Sequence, residues 1–330
     1  MSGASGGSVG NATYFNLLRA KQTNDTINHE LAPVQDYLNT DFLTFTIARM
    51  LGPDVFRHII PLYSIDDRAA ALARVLEKGS GKSSLLYDSM ATCFSEIITQ
   101  TGKQYTLPIL CINTTRMQDG RPAVISNIKL SDERFNKRLD LLNLLSEEQD
   151  IKLSTAVVLG ASFPYVSPAG RIDSAGKVDK ANYFVDGGYF DNSGSGVVTE
   201  MISILLKNPL YIQYKSKLRF YIVHITNSPE GNADLKKVNP LINDLAAPVK
   251  TLVGAYGTQT IVNDERLINF MKYEYKNSNA YKDINLYDDG KDIIYSMNWV
   301  MSDTLMSNIK YSLGFNAVLK DLIGQIKNNK

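Results

Sequence analysis

Apolar positions along this chain alternate between helical and strand spacings, in an order that predicts an α/β fold. From Ser8 to about Ala20, residues Val9, Ala12, Phe15, Leu17 and Leu18 recur at near-helical intervals. Asp41 to Leu51 repeats that pattern and stops at Gly52-Pro53, while Asp66 to Glu77 is rich in good helix formers. Tyr105 to Thr114 reads as a buried strand, Asp119-Gly120 as a turn, and Pro122 to Ile128 as a second strand paired with the first. Leu139 to Leu145 is an apolar segment, and Ser154 to Leu159 predicts a helix packed on the sheet. Tyr183 to Val185 leads into the turn Asp186-Gly187-Gly188, and a helix is expected over Gly196 to Leu206. Leu218 to Thr226 predicts another buried strand, and the chain from Asp244 onward is mostly helical in pattern. No repeat or low-complexity linker interrupts the sequence, so one domain over 1–330 is the simplest expectation.

Composition narrows the function classes. The net charge of +1 argues against a nucleic-acid binder, which would carry a basic excess or stripe. The basic cluster Lys215-Ser216-Lys217-Leu218-Arg219 reads as a solvated approach to a strand. Cys93 and Cys111 are the two cysteines, without metal-ligand spacing, and read as reduced core residues. No apolar run approaches the roughly 18 residues that a membrane span needs, and the start lacks a signal-peptide pattern. The expected location is therefore cytoplasmic or peripheral to a membrane, with upstream sequence free to encode an anchor.

Candidate chemistry begins at the first residues. Gly3-Ala4-Ser5-Gly6-Gly7 has the Gly-x-Ser-x-Gly spacing of a nucleophile elbow, followed by a helical pattern. On residues 1–10 alone, a flexible glycine-rich terminus accounts for it equally well. A second segment lies far away, Phe184-Val185-Asp186-Gly187-Gly188-Tyr189-Phe190-Asp191-Asn192-Ser193-Gly194. Its aspartate stands at the end of an apolar strand with two glycines after it, which by itself is an ordinary Asp-Gly turn. Between the two, an apolar stretch from Leu153 runs through Ala161-Ser162-Phe163-Pro164 to Ser167-Pro168-Ala169-Gly170.

Taken together in this order, the three segments resemble the patatin-like phospholipase family, in its bacterial branch related to cytosolic phospholipase A2. Weaker similarity runs through Ile112-Asn113-Thr114-Thr115, Asp119-Gly120-Arg121, Asp67-Arg68-Ala69 and Trp299-Val300-Met301-Ser302, so the resemblance spans most of the chain. It implies a three-layer α/β domain with a mostly parallel central sheet. It also implies hydrolysis of lipid acyl esters through an acyl-serine intermediate, with Ser5 as nucleophile and Asp186 as its only side-chain partner. Gly3, Gly6 and Gly7 would support the elbow and oxyanion site, and Gly187 and Gly188 the aspartate turn. No metal or organic cofactor is expected, and the expected partner is a lipid or ester substrate, at a membrane surface.

One departure qualifies this. The family carries a glycine-rich oxyanion loop upstream of the elbow, and no such residues precede Gly3. By position only the Gly6 N–H remains as an oxyanion donor, and losing one donor typically costs about 10²–10³ in turnover. With neither loop nor preceding strand, the expectation is an N-terminally incomplete, weak or inactive hydrolase. The alternative is a catalytically inactive homologue that keeps a lipid- or protein-binding surface.

Other readings are weaker. Ser5, Asp186 and His224 follow the chain order of an α/β-hydrolase triad, yet His224 lies inside a strand-like run and reads as a satisfied core histidine. Gly79-Ser80-Gly81-Lys82-Ser83-Ser84 resembles the end of a phosphate loop, but Leu76 stands where its first glycine belongs. Asp186 and Asp191 lack further ligands at metal spacing, and Asp191 is expected to support the turn. The segment Asp41–Leu51 is assigned to core packing, because an interfacial helix would carry a strongly basic polar face.

Overall fold

The computed structural model describes residues 1–23, 32–52, 54, 67–79, 85–103, 107–130, 135, 137–162, 167–173, 181–226, 258–276, 280–286 and 302–328. The chain divides into two compact units, Met1–Val197 and Val198–Lys330. Both combine helices with strands, and the α/β class stands.

The first unit is built on a sheet of β1 (Ser2–Gly3), β2 (Cys111–Arg116), β3 (Pro122–Ser126), β4 (Leu139–Asp140), β5 (Gly170–Asp173) and β6 (Ala181–Asp186). Its order is β4-β3-β2-β6-β5, with β1 paired to β2. β2 and β3 pair as expected, in antiparallel fashion across Asp119-Gly120, where Gly120 takes φ 66°, but β2 starts at Cys111, and residues 107–110 of the expected strand are not in it. Such a short connection permits only antiparallel pairing. The expectation of a mostly parallel sheet is corrected on this point. β1–β2 and β3–β4 are parallel, whereas β2–β3, β2–β6 and β5–β6 are antiparallel, so the described sheet is mixed.

β1 is short, but it is a strand. Ser2 and Gly3 pair with Cys111 and Ile112, and the Cys111 N–H extends the ladder to the Met1 carbonyl at 2.8 Å. The expected absence of a strand before the elbow is thereby corrected: two paired residues suffice to fix the backbone that enters the turn.

The helices follow their sequence signals closely. Gly6–Thr23 matches the first amphipathic pattern and buries Val9, Ala12, Phe15 and Leu17. Thr44–Leu51 begins later than expected because Asp41 acts before it, its carboxylate accepting from the Leu43 and Thr44 N–H groups. Arg68–Lys78 is capped by Asp67, which accepts from the Ala70 N–H at 2.9 Å. Leu153–Gly160 is apolar nearly all round and correspondingly buried, with Leu153, Val157 and Leu159 in the core, and it packs on β2 and β6, whose Ile112 and Phe184 are buried too.

The second unit has its own core. Ile202 and Leu206, from the helix Ser195–Lys207, meet Leu267, Met271 and Ala280, with Phe220, Tyr275 and Tyr281 packed around them. Its two strands, β7 (Ile222–Thr226) and β8 (Tyr281–Asn285), pair in parallel. The expected buried strand over Leu218–Thr226 is corrected in length and burial. It spans five residues, and Ile225 is 62% exposed. A two-stranded sheet covered on one face leaves alternate residues outside, which a continuous apolar run does not reveal. The strand β8 was not foreseen. Helices at 258–269, Asp303–Phe315 and Ala317–Asn328 agree with the helical reading of this region, as far as its residues are described. The expected loop at 80–84 and the Trp299–Met301 similarity lie outside the described residues.

Candidate active site

Sheet register brings the two ends of the sequence motif together. β3 occupies one edge of β2 over nearly its whole length, so β1 and β6 must share the other. β1 runs parallel to β2 and reaches Ile112 with Gly3. β6 runs antiparallel and reaches Thr114 with Asp186. The two strands therefore point their carboxyl ends at each other, and they meet opposite Asn113. Ser5 leaves one strand end and Asp186 is the last residue of the other.

At this junction the backbone turns sharply. Ser5 adopts φ 51°, a left-handed conformation that costs a non-glycine residue of order 1–3 kcal/mol. Its N–H donates to the Gly160 carbonyl at 2.9 Å, and the Gly7 N–H donates back to the Ala4 carbonyl at 2.9 Å. The helix Gly6–Thr23 starts immediately afterwards, so Ser5 sits at its positive end. Among the described residues the Gly6 N–H finds no acceptor, and the space beside the Gly6 and Gly7 Cα atoms is open. Gly3 is different, because a Cβ there would stand 2.7 Å from both the Asn11 Nδ2 and the Gly7 carbonyl carbon. The glycines of the motif thus do separate work: Gly3 admits the helix, while Gly6 and Gly7 keep a backbone donor uncovered.

The Asp186 carboxylate is held from one side only. Oδ1 accepts from the Gly188 N–H at 2.7 Å, whereas Oδ2 is buried and has no hydrogen-bond partner of ordinary geometry. The residue is 4% exposed. Burial pushes its carboxyl up from 3.8 to about 6; the Gly188 N–H and the neighbouring Ser5 side chain pull the other way. An aspartate in this state is a stronger base than usual yet largely ionised at pH 7.

Small residues let the strands converge. A Cβ on Gly187 would stand 2.4 Å from the Asn113 carbonyl oxygen and 3.0 Å from the Ala4 Cβ. One on Gly188 would meet the Asn192 Oδ1 at 2.8 Å, and one on Gly160 the Ile112 Cγ2 at 2.6 Å. At Gly187 and Gly160 the obstacles are backbone or packed core atoms that have nowhere to go.

Sequence reasoning missed the residues that hold this junction. Asn113 is buried, and its Nδ2 donates to the Gly3 carbonyl at 2.9 Å and the Ser2 Oγ at 3.0 Å. The Ser2 hydroxyl in turn donates to the Gly194 carbonyl at 2.8 Å. The Thr114 hydroxyl sits between the Leu159 and Val185 carbonyls, at 3.0 and 2.7 Å. The signal was present as an asparagine and two threonines inside a strand otherwise apolar enough to be buried, where polar side chains must find partners. Asp191 supports the following turn as expected. Its carboxylate accepts from the Gly194 N–H, the Ser193 hydroxyl and the Gly196 N–H at 3.0, 3.0 and 2.7 Å.

His224 lies in β7, with its Nδ1 2.8 Å from the Tyr281 hydroxyl and 3.2 Å from the Asp283 Oδ1. It is half-buried and partnered within the second unit, as a structural histidine would be. Among the described residues no cluster of histidine, cysteine and carboxylate side chains is arranged to hold a metal ion, and no helix is long and apolar enough to cross a membrane.

No protein-family model matches the chain, and no characterised protein matches it in sequence.

Proposed function

We propose that this chain is a serine hydrolase that cleaves lipid acyl esters with a Ser5–Asp186 dyad. The observation that carries the reading is the meeting of two strand ends at Asn113. A serine in left-handed conformation at a helix start neighbours a buried aspartate whose second oxygen has no hydrogen-bond partner of ordinary geometry. Turn strain, an open Gly6 N–H and a carboxyl of raised pKa are hard to explain by stability alone, since each costs free energy. The resemblance to patatin-like phospholipases supplies the substrate class, and their three-layer arrangement belongs to the same proposal.

In this mechanism the Ser5 Oγ attacks the ester carbonyl carbon while Asp186 Oδ2 takes its proton. The carbonyl oxygen, now negative, is stabilised by the Gly6 N–H and the positive end of the helix. Collapse of the tetrahedral intermediate breaks the ester C–O bond, and Asp186 returns the proton to the departing alcohol. Water then attacks the acyl-serine, Asp186 again accepts a proton, and the carboxylic acid leaves as Ser5 recovers its own. No histidine relay is needed, because burial has already raised the basicity of the carboxylate.

The test uses a fluorophosphonate probe and a chromogenic acyl ester on the full chain. The expected result is covalent labelling lost in Ser5→Ala, and ester turnover reduced about 10²–10⁴-fold in Asp186→Asn. Turnover should fall as pH drops below about 6, where Asp186 gains a proton. Absence of Ser5-dependent labelling would overturn the reading in favour of a lipid- or protein-binding homologue.

A further inference from the structure

In the second unit, the segment following the helix Ser195–Lys207 exposes an unusual run of side chains. Every residue from Pro209 to Lys217 is exposed, and the run includes Leu210, Tyr211, Ile212 and Tyr214. Leu210 is 71% exposed and Ile212 57%. Scattered exposed apolar residues are normal, but four large ones within five positions form a patch.

Most of the backbone N–H groups beneath them are paired within the segment. The short helix Pro209–Ile212 is capped by Asn208, whose Oδ1 accepts from the Leu210 N–H at 3.0 Å. The Tyr211 and Ile212 N–H groups donate to the Asn208 carbonyl, at 2.9 and 3.0 Å. Tyr214 then donates to Tyr211, Lys215 to Ile212, and Lys217 and Leu218 to Tyr214. A segment with its N–H groups already paired loses little when water is removed from around it.

Charge chooses among the possible occupants. Lys207, Lys215, Lys217 and Arg219 lie in and around the patch, and no Asp or Glu occurs between Glu200 and Glu230. A chain whose net charge is only +1 thus concentrates four cations in a stretch free of acids. Exposed aliphatic and tyrosine side chains flanked in sequence by lysines match the interface of an anionic bilayer. There the apolar groups enter the acyl boundary, tyrosine hydroxyls stay at headgroup level and lysines meet phosphates.

We propose that the Pro209–Lys217 knob is an interfacial anchor that seats this protein on anionic phospholipid membranes. The anchor does not depend on the Ser5 chemistry. It would deliver the protein to a lipid surface whether or not that site turns over esters.

Co-sedimentation of the full chain with phosphatidylcholine vesicles, with and without phosphatidylserine, tests this. Binding is expected on the mixed vesicles, at least about tenfold stronger than on phosphatidylcholine alone, and weakening as salt is raised. Leu210→Ser/Ile212→Ser and Lys215→Glu/Lys217→Glu should each reduce that binding by about tenfold or more. Their circular dichroism and melting should match the parent, since the altered side chains are exposed. Ser5→Ala should bind as the parent does, which separates this proposal from the hydrolase reading. Failure of the parent chain to bind, or equal binding by the variants, would overturn it. A parent dimer that becomes monomeric in Leu210→Ser/Ile212→Ser would likewise overturn it, showing the patch to be a protein interface.

Discussion

Asp186 carries a cost that a purely structural residue would not. With burial the dominant influence, its carboxyl is raised from 3.8 to about 6, so the folded state binds the proton more tightly than the unfolded chain. The stabilisation linked to that proton is fully present below about pH 4 and is lost as pH rises through about 6. Ionising the group in place at neutral pH therefore costs on the order of 3 kcal/mol. Asn at this position keeps an oxygen for the Gly188 N–H and removes the charge. Asp186→Asn is expected to gain about 1–3 kcal/mol at about pH 7.5, with the gain absent at about pH 4, as read by urea unfolding. A variant less stable than the parent by the same amount at both pH values would mean the carboxylate is compensated by contacts the Asn cannot make. Ser5 and Asp186 were legible in the sequence because short glycine motifs surround each of them. The Asn113 clamp was not, since a single polar residue in a strand announces burial but not which backbone groups it will reach.

Elements converge on the site through contacts that have no room for a side chain. The helix Leu153–Gly160 was foreseen from its apolar run, but the run gives no reason why it must end in glycine. In the structure, Gly160 closes against β2. A Cβ there would stand 2.6 Å from the Ile112 Cγ2, 3.0 Å from the Asn113 carbonyl oxygen and 3.1 Å from the Ser8 Oγ. The same residue's carbonyl holds the Ser5 N–H. Gly160→Ala is thus expected to destabilise the chain by about 1–3 kcal/mol and to slow fluorophosphonate labelling of Ser5 as the elbow shifts. Gly6→Ala, where the space is open, should stay within about 0.5 kcal/mol of the parent. Thermal or chemical unfolding of the pair checks both values, and equal losses would show that close packing at Gly160 is not what holds the elbow. Strand pairing was the least legible feature at this scale. Hydrophobic pattern located β3 and β6 and only the first four residues of β2, which begins at Cys111 and runs on to Arg116, and register is decided by partners. The head-on meeting of β1 and β6 along one edge of β2 arises from a two-residue strand that no periodicity can detect.

The whole chain contains two compact units, and the boundary at Val197–Val198 falls inside the helix Ser195–Lys207. A linker rich in glycine, proline or serine would have marked it in the sequence. A helix that is apolar on its buried positions leaves no such mark, because one pattern serves both sides of the boundary. Each unit nevertheless has its own buried apolar centre. In the second, Leu267 is nearly inaccessible and packs with Ile202, Leu206, Met271 and Ala280. Leu267→Ala removes most of a buried side chain and should cost about 2–5 kcal/mol there, depending on how far the site can collapse. If each centre stabilises its own unit, amide hydrogen exchange should accelerate at 198–207, 258–276 and 280–286, while Cys111–Arg116 and Pro122–Ser126 keep their protection. Acceleration spread evenly through β2 and β3 would show instead that both units open as one cooperative body. The outcome also bears on the chemistry. All the residues proposed for ester hydrolysis lie in Met1–Val197, so a locally confined effect would leave the Ser5–Asp186 junction assembled while the exposed Pro209–Lys217 segment of the second unit is loosened.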